Sequence, residues 1–200
     1  LRYYKVMTKK IDNYLNDEIN GVIDLLQLIK KNKYQAFKKL CNEGVKTIKN
    51  KKKIFFFGNG GSAADAQHLA TELSTRFKKN RKPLPGISLA TDTSAITAIS
   101  NDFNFNQIFS RQLDALGDRG DLAIAITTSG NSKNLIEAAK VAKRKKIKIF
   151  SFSGNRGGKL KKFVDDTILV PSKNTSQIQV AEILIGQMFC SYLEDFFIKK

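Results

Sequence analysis

A chain of 200 residues, 42% of them hydrophobic, is long enough to build one domain around a substantial core. No apolar run approaches the roughly 18 residues of a membrane-spanning helix, and the first residues lack the apolar stretch of a signal peptide. The net charge of +17 raises the question of an anionic partner, but the lysine runs at 29–39, 46–53, 78–82 and 143–148 have no interleaved aromatics and match no nucleic-acid motif.

The charge reads either as a solvated, lysine-rich surface or as a sign of an anionic partner; it can also attract phosphorylated metabolites, no membrane partner is expected, and a nucleic-acid partner would rest on charge alone. In chain order, apolar residues at helical spacing predict a helix over 9–31 (Ile11, Leu15, Ile19, Val22, Ile23, Leu26) and a second over 34–50. Short apolar runs then predict strands at Ile54–Phe57, Gly86–Leu89, Leu122–Ile126, Ile147–Phe152 and Thr167–Val170. Helical patterns fill the intervals at 62–77, 93–100, 105–116 and 132–144, and a long apolar helix closes the chain at 176–198. This alternation predicts an α/β fold with a parallel sheet covered by helices on both faces. The first two helices and the last are apolar enough to pack between subunits. The whole chain, 1–200, reads as a single domain. Met7 is a candidate start, with residues 1–8 an extension that need not be native. Cys41 and Cys190 stand apart without metal-type spacing and fit a reducing cytoplasm.

Two strand-to-helix loops carry the chemical signal. After the first strand comes Gly58-Asn59-Gly60-Gly61-Ser62, where glycines allow a tight turn and close approach of a ligand, and Ser62 is expected to cap the next helix with Asp65 as its capping-box partner. After the third strand comes Thr127-Thr128-Ser129-Gly130-Asn131-Ser132, four hydroxyls at a helix start. Hydroxyl donors, free N–H groups and the positive end of a helix dipole favour a phosphate. Neither loop ends as a Walker loop does or keeps dinucleotide GxGxxG spacing. A third loop, Thr91 to Ser94, and the pair Asn101-Asp102 offer either sugar-hydroxyl ligands or plain helix caps. On the helix after the first loop, His68 and Glu72 lie four residues apart on one face. They read as a proton-transfer or metal-binding pair, or as an ordinary surface pair.

The stretches FFGNGGSAADAQHLATELSTRF, LATDTSAITAISNDFNFNQIFSRQLDALGDRGD and ITTSGNS together resemble the phosphoheptose isomerases, of the sugar isomerase (SIS) fold, over residues 10–197. The resemblance implies a three-layer αβα fold with a five-stranded parallel sheet, a homotetramer with active sites at subunit interfaces, and conversion of D-sedoheptulose 7-phosphate to D-glycero-D-manno-heptose 7-phosphate for lipopolysaccharide or other surface glycans. By position it implies Thr127, Thr128, Ser129 and Ser132 on the phosphate, and Asn59, Gly60, Ser62, Asp102 and Gln179 on the substrate. Glu72 matches the base that moves a proton between C1 and C2 through an enediol. His68, Glu72 and Gln179 match ligands of the zinc found in part of the family. In the last helix the chain departs from the pattern. Gln177, Val180, Glu182 and Gln187 stand where the family has arginine, glutamate and two histidines, and Gln187 occupies the catalytic-acid position. Glutamine carries no titratable proton. The acid role is open between Gln187, His68 and a water. The same substitution suggests an alternative, a phosphosugar-binding scaffold similar to DiaA, whose partner is the DnaA replication initiator.

Overall fold

The computed structural model describes residues 2–31, 35–154 and 156–198, with side chains from residue 7 onward. Helices α1 (Arg2–Lys31) and α2 (Gln35–Lys49) precede strand β1 (Ile54–Gly58). There follow α3 (Gly61–Ser74), β2 (Gly86–Ser88), α4 (Thr93–Asp102), a 3-10 turn at Phe105–Gln107, and α5 (Ile108–Leu116). The second half holds β3 (Leu122–Thr127), α6 (Lys133–Lys145), β4 (Lys148–Gly154), β5 (Asp166–Val170) and α7 (Thr175–Ile198). Every predicted strand and helix is present.

The five strands form one parallel sheet in the order β2-β1-β3-β4-β5. Alternation along β1 sorts the core into two layers. Ile54 and Phe56 pack with Leu40, Leu69, Ile124, Ile185 and Phe189, under α2, α3 and α7. Phe55 and Phe57 pack with Phe109, Leu113, Ala125, Leu135 and Ala138, under α5 and α6. A parallel sheet buried on both faces needs such continuous apolar strands. The chain leaves β1 towards β2 on one side and returns to β3 on the other, so the strand order reverses at the β1/β3 junction. Ligands of open α/β sheets bind at such a point, beyond the carboxyl ends of the strands.

Three local expectations change. Helix α3 begins at Gly61 rather than Ser62, with Gly60 as N-cap and no side-chain capping bond. Ser62 is instead buried against Gly58, where a Cβ would meet the Ser62 Cβ at 2.6 Å and the Ile126 carbonyl at 2.7 Å, so the turn closes on a glycine rather than on a serine–aspartate box. The same helix stops at Ser74, not 77, because Arg81 and Leu84 take its last carbonyls. The helix expected over 105–116 starts as a 3-10 turn because the Asn104 side chain accepts the Asn106 N–H. Helix α1 runs unbroken from Arg2 through the residues read as an extension, while residue 34 lies outside the described residues.

Candidate active site

The loops after β1 and β3 are neighbours because their strands pair, Gly58 against Ile126. They are also tied directly. Asn59 Nδ2 donates to Asn134 Oδ1 at 3.0 Å, and Asn134 Nδ2 donates to Asn59 Oδ1 at 2.8 Å. This paired-amide bridge joins the first loop to the first turn of α6 across the switch point. Asn134 was not legible as a site residue, since one asparagine in a helix pattern gives no signal.

The β3 loop is internally braced. Gly130 N–H donates to Thr127 Oγ1 at 3.2 Å, and Asn131 N–H donates to Ser129 Oγ at 3.2 Å. Gly130 sits at φ +64°, and a Cβ there would run into the Gly157 carbonyl, so no side chain can occupy the place. Ser132 occupies the N-cap of α6, but its side chain makes no capping bond. Its hydroxyl therefore remains available at the positive end of α6. Beside the loop lies a cleft of about 390 Å³, lined by Thr128, Ser129, Asn131, Arg156, Lys173 and Thr175. Arg156 and Lys173 bring positive charge to the hydroxyl loop, and neither carries a sequence signal that would single it out.

Helix α3 carries the proton-transfer candidates away from the first loop. His68 Nε2 lies 2.8 Å from Glu72 Oε1, with the histidine side chain 45% exposed and the glutamate 16%. The pair is thus formed, with one member open to solvent and the other largely withdrawn. Gln179, on α7, lies over Gly61 at the start of α3, where a Cβ would meet its Nε2 at 2.8 Å. This places Gln179 at the first loop and about 10 Å along the axis from His68, at 1.5 Å per residue. Glu72 is a further turn on. Among the described residues no three His, Cys, Asp or Glu side chains gather closely enough to hold a metal ion. The donors of one chain do not fit zinc.

Asp102 is the last residue of α4, exposed, with Asn101 Nδ2 donating to it at 2.9 Å. Asp92 is a plain N-cap, accepting from Ala95 N–H. Gln187 lines a separate groove with Phe37, Phe77, Lys78, Met188 and Tyr192.

Comparison with known proteins identifies the family. Residues 19–154 match the SIS domain. The chain is 48% identical over 157 residues to the phosphoheptose isomerase of Campylobacter concisus, covering 78% of this chain and 83% of that one. It is 42% identical over 190 residues to the phosphoheptose isomerase of Helicobacter pylori, covering 95% and 99%. The solved phosphoheptose isomerase GmhA from Neisseria gonorrhoeae superposes with a TM-score of 0.87 at 34% identity, over 92% of this chain and 99% of that chain. The chain belongs to the phosphoheptose isomerase family of SIS-domain proteins.

Proposed function

We propose that this protein is an aldose–ketose isomerase that converts D-sedoheptulose 7-phosphate to D-glycero-D-manno-heptose 7-phosphate, feeding surface-glycan synthesis in the cytoplasm. The single observation that carries the reading is the tied pair of loops at the β1/β3 junction, joined by the Asn59–Asn134 bridge, with the His68–Glu72 pair on the helix that leaves one of them. A heptulose phosphate has its phosphate at one end and its reacting carbons at the other. The Thr127–Ser132 hydroxyls and the α6 N-terminus take the phosphate, with Arg156 and Lys173 adding charge. In this reading Asn59, Gly60 and Ser62 of the first loop, with Gln179 beside Gly61, contact the sugar.

Glu72 acts as the base. As a carboxylate it removes the proton from C1 and returns it to C2 through the enediol, while the hydroxyl proton passes from O1 to O2 by way of His68, Gln187 or a water. His68, hydrogen-bonded to Glu72 at 2.8 Å, orients that carboxylate. No step is assigned to a metal, since the donors of a single chain are incomplete.

The working unit is a homotetramer of this chain. Met7, Ile11, Leu15, Ile19 and Ile23 recur every four residues along α1 and are all exposed, and Val180, Met188 and Tyr192 are exposed on α7. Apolar stripes of that length favour burial against another copy. Among the described residues no helix is long and apolar enough to cross a membrane.

The test is turnover of sedoheptulose 7-phosphate followed by NMR of the sugar, with the mass of the protein measured by light scattering. Conversion by a tetramer is expected, and Glu72→Gln lowers the rate by about 10²–10⁴-fold, the usual contribution of a general base. Full activity in Glu72→Gln removes Glu72 as base. Sugar binding without conversion by the unaltered protein removes the isomerase reading.

A further inference from the structure

A helix leaves its last carbonyls without partners. In α3 two of these belong to Glu72 and Leu73, and one buried side chain takes both. Arg81 Nη2 donates to the Glu72 carbonyl at 2.6 Å, and Nη1 donates to the Leu73 carbonyl at 2.8 Å and to the Lys82 carbonyl at 3.1 Å. The Arg81 side chain is only 2% exposed. Behind it stands Glu194 of α7, with Oε1 3.4 Å from Arg81 Nε and a side chain 1% exposed. The same carboxylate receives three consecutive backbone N–H groups, from Phe77 at 2.9 Å and from Lys78 and Lys79 at 2.7 and 3.1 Å. One turn earlier on α7, the Cys190 thiol donates to the Leu69 carbonyl at 3.7 Å, so α7 holds the second half of α3 at two levels.

This is more machinery than a helix end requires. An exposed end is satisfied by water, and a buried ion pair is a weak source of net stability because both charges must be desolvated. What a planar guanidinium with a fixed donor fork supplies is geometry. Here the fork closes on the main chain of the residue proposed as the base, and displacement of a reacting group by about 1 Å costs on the order of 10²-fold in rate.

We propose that Arg81, held in place by Glu194, is a positioning residue for isomerisation: it fixes the backbone from which Glu72 projects and so keeps the carboxylate aligned with the substrate. The inference rests on the reading of Glu72 as base. Neither Arg81 nor Glu194 touches the phosphate loop, which lies at the opposite end of α3. Their effect should therefore fall on kcat and spare binding.

The experiment compares Arg81→Lys, Glu194→Gln and the double variant with unaltered protein, measuring kcat and KM for sedoheptulose 7-phosphate, affinity for inorganic phosphate, and the thermal unfolding curve. Lysine keeps the charge and loses the fork; glutamine keeps an acceptor and loses the charge. Arg81→Lys is expected to lower kcat by about 10–100-fold with KM and phosphate affinity within about twofold. The double variant should be no slower than the slower single one, because the two side chains act as a unit. Glu72→Gln is run alongside, alone and combined with Arg81→Lys, and Arg81→Lys should have no further effect in that background. If Arg81→Lys keeps its kcat while folded, or loses phosphate affinity in parallel with kcat, the positioning role is overturned. If Glu72→Gln is itself fully active, the base assignment fails first, and this separates the two failures.

Discussion

Helix α7 buries two glutamates twelve residues apart, each residue 1% exposed, and they have opposite proton affinities. Among the described residues Glu182 has no hydrogen-bond partner on either oxygen. Burial, with the nearby charge of Asp65 adding to it, pushes its carboxyl up to about 8. For Glu194 burial acts in the same direction, but the three N–H groups of 77–79 and the charge of Arg81 outweigh it and hold the carboxyl below its ordinary value. Both side chains are withdrawn from solvent, but Glu182 lies deeper and has no partner, whereas the N–H groups and Arg81 around Glu194 reverse the sign of its shift. Glu182 is a neutral acid at pH 7 in the wall between α3 and α7, and Glu194 is an anion that organises a loop.

The largest effect should come from making Glu194 resemble Glu182. Arg81→Met removes the cation and leaves a buried carboxylate with backbone partners alone. A loss of about 3–5 kcal/mol is expected in denaturant unfolding, the usual result of breaking a buried pair from one side. Replacing both partners with apolar residues, Arg81→Met with Glu194→Leu, should recover part of that loss, because no charge is then left buried. A loss under about 1 kcal/mol for Arg81→Met would show that the N–H groups suffice and that the pair contributes nothing.

Glu182 offers the converse test. Between its ordinary value of 4.5 and about 8, the folded protein keeps this proton while the unfolded chain releases it. The folded state then binds more protons, so the contribution of Glu182 to stability falls as pH rises through that window. Glu182→Gln removes the titration and keeps the shape. The variant should unfold at a higher temperature than the unaltered protein by a margin that grows from pH 5 to pH 8. Each tenfold difference in proton affinity between the folded and unfolded chain is worth about 1.4 kcal/mol, so the gain should reach a few kcal/mol at the upper end. A margin independent of pH would mean that Glu182 is not held neutral. Glu194 contributes the opposite slope: its stabilisation is complete above the ordinary carboxylate value and is lost as pH falls through its lowered one.

The same two residues mark how far sequence reading reaches. The sheet, the helices and both loops are legible because each has a local cause. Ile54–Phe57 is an unbroken apolar run, and glycines or hydroxyls follow the strands where the backbone must turn and face a ligand. His68 and Glu72 meet because four residues make a helical turn. The clamp on α3 has no such cause. Arg81 sits in the run KKNRK, which reads as a solvated basic stretch, and its burial is decided by Glu194 more than a hundred residues away. The arginine among lysines was the one available hint, since a fixed donor fork suits buried carbonyls and carboxylates better than an ammonium does. Glu182 likewise reads as a substitution at a family position, and only the packing of α7 against α3 shows it to be buried and unpartnered. Gln179 is legible as a site residue, but its place over Gly61, away from His68, depends on the register between those two helices.

A partly exposed acid paired with an exposed lysine supplies the third member of the comparison and the smallest effect. Asp166, at the start of β5, pairs with Lys39 of α2 at 2.9 Å, with side chains 27% and 67% exposed. Its other oxygen accepts the Thr167 N–H at 2.8 Å. Geometry alone would rank this pair above Arg81–Glu194, which is 3.4 Å apart. Solvent reverses the ranking. Lys39 loses side-chain freedom when it pairs and gains little Coulomb energy beside water, so Lys39→Ala should change stability by roughly 0–1 kcal/mol. Whatever difference remains should shrink further in 1 M salt, where the screening length is about 3 Å. A larger loss that persists in salt would show that proximity outweighs desolvation in this protein, and the contrast between Glu182 and Glu194 would then need a cause other than their partners. The expected near-null result carries over to the rest of the lysine-rich surface, whose exposed charges contribute little to holding the molecule folded.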